Sequence, residues 1–159
     1  MSVFESVGAI LLLGGGAWVG FVLCSYERRR CRQAEGFLAL VRRIREGIDC
    51  FSVPISEILA KCDARIWTDC DIGDAEFSDL PSLLRGCTLY LPLDMQRLLT
   101  DLSERLGGGY REEQLRCCDY FLERFTPCCD RLRAELPRRE RIAWLLPLSV
   151  AAILLLMLL

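Results

Sequence analysis

Ile142-Ala-Trp-Leu-Leu-Pro-Leu-Ser-Val-Ala-Ala-Ile-Leu-Leu-Leu-Met-Leu-Leu159 decides how the rest of this chain is read. The stretch carries no charge and follows directly on Arg138-Arg139-Glu140-Arg141. As a helix rising about 1.5 Å per residue it reaches roughly 26 Å, enough for the hydrocarbon core of a bilayer. It has no polar face with which to lie on a soluble core. The run therefore predicts a transmembrane helix over 142–159, with no far-side domain expected after it.

Val7 to Leu23 is a second uncharged run. The residues before it hold no Lys or Arg, whereas Tyr26-Glu-Arg-Arg-Arg-Cys-Arg32 follows it. A secretory signal carries its positive charge first. The order here predicts an uncleaved anchor, a transmembrane helix within 1–25. Arg28, Arg29, Arg30 and Arg32 after this run, and Arg138, Arg139 and Arg141 before the other, then read as cytoplasmic flanks by the positive-inside rule. Both ends predict the same topology independently: two passes, a cytoplasmic domain over 26–141, and both termini outside. Tyr26 and Trp144 stand at those flanks, where an interfacial aromatic belt is expected. Gly16 and Gly20 form a Gly-x-x-x-Gly that lets another helix approach closely. The expected partner is the second span, with its small Ser149, Ala151 and Ala152. The plainer reading is that membrane helices are Gly-rich.

The chain of 159 residues leaves room for one small core between the spans. A net charge of −2 argues against a nucleic-acid partner, and the absence of histidine removes the commonest general base and metal ligand. Ten cysteines would suggest disulfides outside the cell, but thiols in a cytoplasmic domain stay reduced. Cys117-Cys118 and Cys128-Cys129 lie about 16 Å apart along a continuous helix. Without a sharp fold at Pro127, those sulfurs cannot close on one zinc with bonds near 2.3 Å. Core packing is the expected role of the cysteines, with metal or redox chemistry as the alternative. The carboxylates are spread over helix faces, and no serine sits in a nucleophile elbow. Neither catalytic residue, cofactor, metal site nor small-molecule substrate is predicted.

Apolar residues at Ala34, Phe37, Leu38, Val41, Ile44, Ile48 and Phe51 keep helical spacing, so the first span is expected to continue into this helix without a break. Ser52 is expected to cap a shorter helix, with Pro54 in its first turn and Ile55, Ile58, Leu59 and Cys62 inward. Asp63 to Asp79, with six acids, does not follow a calcium-loop spacing and reads as a solvated connection. Leu80 to Leu84 suggests a helical turn, and Leu89 to Pro92 gives no assignment. Asp94 is expected to cap a helix carrying Met95, Leu98, Leu99, Leu102 and Leu106, ended by Gly107-Gly-Gly109. Leu115, Cys118, Leu122, Phe125, Cys129, Leu132 and Leu136 then alternate steps of three and four as a coiled-coil-like seam, with Pro127 expected to kink or interrupt it. No strand pattern appears. The predicted class is all-α, a helical bundle or hairpin between two terminal transmembrane helices.

The order of these elements resembles the stage III sporulation protein AB family. Trp18-Val-Gly-Phe21 with the Tyr/Glu/Arg-rich flank is similar to that family's opening, and Val53-Pro-Ile-Ser-Glu-Ile-Leu59 to its Pro-started helix. Leu102-Ser-Glu-Arg-Leu-Gly107 followed by Arg111-Glu-Glu-Gln114 resembles its leucine-glycine turn, placing Leu106, Gly107 and Gln114 at family-like positions. The resemblance, which takes in nearly the whole chain, implies a mother-cell membrane protein of spore-forming Firmicutes. It would sit in the transenvelope complex joining mother cell and forespore. The implied domain is like the platform proteins of type II secretion, and the implied partners are membrane lipid, a cytoplasmic ATPase of the stage III sporulation protein AA kind and sibling membrane subunits. Docking is expected on the charged faces of the bundle, around Gly107–Gly109 at the end away from the membrane. A cysteine-based metal or redox membrane protein and a small pore-former are the competing readings.

Overall fold

Helix α1 runs unbroken over Val3–Phe51, in a computed structural model that describes residues 3–51, 54–72 and 79–158. It passes through Gly14-Gly15-Gly16, where each glycine would cost an exposed helix about 1 kcal/mol relative to alanine. In lipid no water competes for the backbone hydrogen bonds, so helix is the conformation that satisfies them. Four short or medium helices follow: α2, Ile55–Ala60; α3, Ala64–Asp69; α4, Leu80–Gly86; and α5, Leu93–Arg105. Helix α6 then runs over Arg111–Leu158. The fold is all-α, with no strand among the described residues.

The chain clusters into two units, one of residues up to Arg28 with those from Arg133 onward, the other Arg29–Leu132. The second holds the core. Helix α1 contributes Ala34, Phe37, Leu38, Leu40, Val41, Ile44 and Ile48, and α5 contributes Met95, Leu99 and Leu102. From α6 come Cys118, Phe121, Phe125, Cys129 and Leu132. This stripe corrects the expected seam. Phe121 is buried and stacks on Phe125 at 4.5 Å between centroids, whereas Leu115 and Leu122 are half-buried. A helix covering a globular core buries a wider face than a two-position coiled-coil seam.

Pro127 does not interrupt α6. It is exposed, as is Glu123, whose carbonyl loses its usual amide partner, so water can take that bond. Asp94 is not a cap either: it is the second residue of α5, and Pro92 holds the N-cap position. Ser52, the expected cap of α2, lies outside the described residues, and Pro54 occupies the N-cap position there.

The largest correction falls on the acidic stretch. Asp63 caps α3 by accepting a hydrogen bond from Arg65 N at 3.0 Å, and Asp79 caps α4 by accepting one from Ser82 N at 2.8 Å. Between them, Ile72 N donates to Trp67 O at 3.0 Å and Asp71 N to Thr68 O at 3.2 Å. This is a Schellman-type end, with Asp71 at φ 60° where glycine is usual. It brings Cys70 and Ile72 into the core. Asp63–Ile72 is therefore packed structure rather than solvated connection, and residues 73–78 lie outside the described ones.

Candidate functional site

The terminal unit is built on glycine. A Cβ added at Gly16 would stand 3.1 Å from both the Ala151 Cβ and the Pro147 carbonyl oxygen. One added at Gly20 would stand 3.1 Å from the Trp144 ring and 3.2 Å from Ala143 O. The glycine face of α1 thus lies directly against α6. Pro147 has no N–H, so the carbonyl four residues back, that of Ala143, loses its helical donor. Gly20 closes on that oxygen, where its Cα–H groups can approach as weak donors. Pro147 was no part of the expected pairing, because the partner of an orphaned carbonyl lies 123 residues away in sequence. Around this contact, Leu11, Trp18, Phe21, Leu145, Leu146, Ile153 and Leu156 are exposed, as lipid-facing side chains are. Only 11% of the apolar window in each long helix is buried. A core helix of a soluble protein would be mostly covered.

The basic flanks divide into two sets. Arg28 Nε donates to Glu140 Oε1 at 2.5 Å, and Arg139 joins Glu135 at 2.8 Å and Glu27 at 3.6 Å. Each guanidinium is held above its ordinary pKa by these carboxylates, the side-chain hydrogen bond coming first. Such pairs tie the two helices together just where the apolar stretches begin, though partly exposed pairs contribute only about 0–1 kcal/mol each. Arg30 is partly buried. Arg29, Arg32, Arg138 and Arg141 are exposed.

At the other expected site, Leu106 is buried, Gly107 takes φ 102°, and Gln114 Nε2 donates to Gly109 O at 3.0 Å. The turn is thus closed by the glutamine. Beside it, Arg111 donates through Nε to Ile48 O at 3.1 Å and through Nη2 to Asp49 O and, at 3.1 Å, to Asp49 Oδ1. Helix α1 has no basic residue in its own last turn, so Arg111 supplies the cation for that negative helix end. A groove of about 580 Å³ opens between α5 and α6 here, with Leu98, Tyr120 and Phe121 beside Asp101, Arg105 and Arg116.

Cys70, Cys118 and Cys129 pack into the core as small apolar side chains. Cys70 and Cys118 are fully buried, and Cys129 nearly so. Burial pushes the Cys118 and Cys129 thiols up to about 12, and Cys70 also upward. A thiol needs a lowered pKa to act as a nucleophile or metal ligand near neutrality. Among the described residues no group of Cys, Asp and Glu is gathered as a metal would require.

An all-α chain with two long apolar helices, each able to cross a bilayer, has the make-up of a helical membrane protein. Residues 5–70 match the family model described as Stage III sporulation protein AB. No curated protein and no solved structure matches. The match takes in α1, α2 and α3, with Trp18-Val-Gly-Phe21 and Val53–Leu59; the Leu106–Gln114 turn lies beyond it. Residues 5–70, under half of the chain, are thus similar to that family, and the two apolar helices are long enough to cross a membrane.

Proposed function

We propose that this chain is a non-enzymatic platform subunit of the complex that joins mother cell and forespore. Its central bundle lies in the cytoplasm, and both termini lie outside. The bundle docks a cytoplasmic ATPase of the stage III sporulation protein AA kind together with sibling membrane subunits. The observation that carries this reading is the combination, in one chain similar to that family over residues 5–70, of two long apolar helices with exposed apolar side chains and a helical core of its own. The mixed-charge groove beside the Gly107–Gly109 turn supports a protein partner, since apolar Leu98 and Tyr120 are flanked by charges of both signs.

The test is co-purification of the tagged full-length protein with the ATPase in mild detergent from sporulating cells. Capture is expected, and the charge reversals R105E and R116E together are expected to reduce it at least tenfold, the effect of losing about 1.4 kcal/mol. Capture of membrane subunits without the ATPase would leave the docking role wrong. Deletion should block spore formation and spare vegetative growth, whereas growth arrest on expression would favour a pore-former.

A further inference from the structure

We propose that the groove where α1 and α6 leave the apolar region holds an anionic phospholipid, its phosphate on Arg138 and Arg141 and its acyl chain over Leu23 and Ile142. This rests on the two-span reading above. The groove measures about 460 Å³ and has two chemically distinct sides. Leu23, Ile142 and Ala143 form the apolar one, while Tyr26, Arg138 and Arg139 stand on the polar one. Leu145 and Leu146, both exposed, continue the apolar surface away from the arginines.

Internal pairing selects which cations are left for a ligand. Glu27 and Glu135 also line the groove and share Arg139, which offsets part of their repulsion of a phosphate and leaves the rest to Arg138 and Arg141. Arg28 is taken by Glu140. Among the described residues Arg138 and Arg141 have no ion-pair partner, and both are exposed. Three residues apart on one helix, they are neighbours on its surface, Arg138 in the lining of the groove and Arg141 at its edge, next in sequence to the lining Ile142. They stand immediately before the uncharged run, at the level where a span meets phosphate groups. Guanidinium matches phosphate oxygens in a bidentate fork, and a basic pocket between spans on the cytoplasmic side suits an anionic headgroup. The acyl side of the groove makes the whole lipid, rather than soluble phosphate, the fitting ligand.

The test uses the full-length protein in phosphatidylcholine bilayers, with spin-labelled phosphatidylglycerol or phosphatidylcholine as the probe of protein-bound lipid. Phosphatidylglycerol should be preferred by about fivefold for each arginine engaged. The preference should fall to near unity in R138Q/R141Q, persist in R138K/R141K, and be unchanged by R124Q. Equal association of the two lipids with the wild type overturns the proposal, as does a preference that R138Q/R141Q leaves intact. Loss of preference on adding millimolar inorganic phosphate at constant ionic strength would mean a site for free phosphate, which also overturns it. Alkaline carbonate extraction separates the two levels of inference. Protein released by carbonate defeats the two-span reading itself, whereas protein retained without lipid preference defeats only the lipid site.

Discussion

Gln33 lies within the arginine-rich flank, where its sequence neighbours predict a solvated side chain, yet it is completely buried. Its Nε2 donates to Cys70 O at 3.0 Å and to Thr88 O at 2.8 Å, while its Oε1 accepts from Tyr90 N at 2.8 Å. One amide thus satisfies backbone groups in two irregular segments that have no sheet or helix to pair with. Replacing it with leucine strands three polar groups, each costing about 1–3 kcal/mol if left dry. Gln33→Leu should therefore destabilise the bundle by more than about 3 kcal/mol in a denaturant titration; a loss below about 1 kcal/mol would show that water substitutes for the side chain. Asp71 offers the opposite case. An L-residue in left-handed geometry is strained, so Asp71→Gly should stabilise by up to about 1 kcal/mol in the same titration.

Gly36 shows how elements are fitted together. A Cβ there would meet the backbone of Asp69 and Cys70 at 3.0 Å, at the end of α3. Backbone cannot swing aside as a flexible side chain can, so Gly36→Ala should lower stability by about 1–3 kcal/mol, the range for overpacking. The same logic governs the spans. Gly20→Leu should push α1 off Trp144 and Ala143 O. In a chain keeping Trp144 as its only tryptophan, the fluorescence emission maximum should shift in this variant relative to the glycine parent. An unchanged emission would mean the glycine contact does not hold the helices together. Periodicity made α1, α5 and α6 legible as helices. It did not show that α6 packs a face wide enough to take in Phe121, because the width of a buried face depends on what lies opposite.

For the bundle as a whole, the buried thiols set a direction for its pH dependence. Burial pushes the Cys118 and Cys129 thiols up to about 12 in the folded chain, against about 8.5 when unfolded. The folded state therefore retains protons that the unfolded state releases. Their contribution to stability is whole below about pH 8.5 and declines as pH rises toward 12, by about 1.4 kcal/mol per pH unit for each thiol. Cys118→Val should flatten that alkaline slope by no more than about a third, since buried Cys70 and Cys129 hold their protons as well, measured as denaturation midpoints at rising pH. Topology is testable through Cys50, which is exposed while Cys62 and Cys87 are half-buried. In a chain retaining Cys50 alone, a membrane-impermeant maleimide should label only after cells are opened. Labelling of intact cells would place the bundle outside and end the platform proposal.

The amino-acid sequence by itself determines the helical class, the two apolar ends and the asymmetry of the arginines, because these follow from local composition and from the cost of moving charge into lipid. Tertiary structure alone decided what pairs with what. Gln33 with Thr88, Arg111 with the end of α1, Gly20 with the carbonyl that Pro147 leaves open, and Arg139 with Glu27 all join residues far apart in sequence. The acidic stretch departs from its solvated sequence pattern for the same reason. Whether an aspartate is solvated, caps a helix or turns one depends on which backbone amides the fold brings within reach of it.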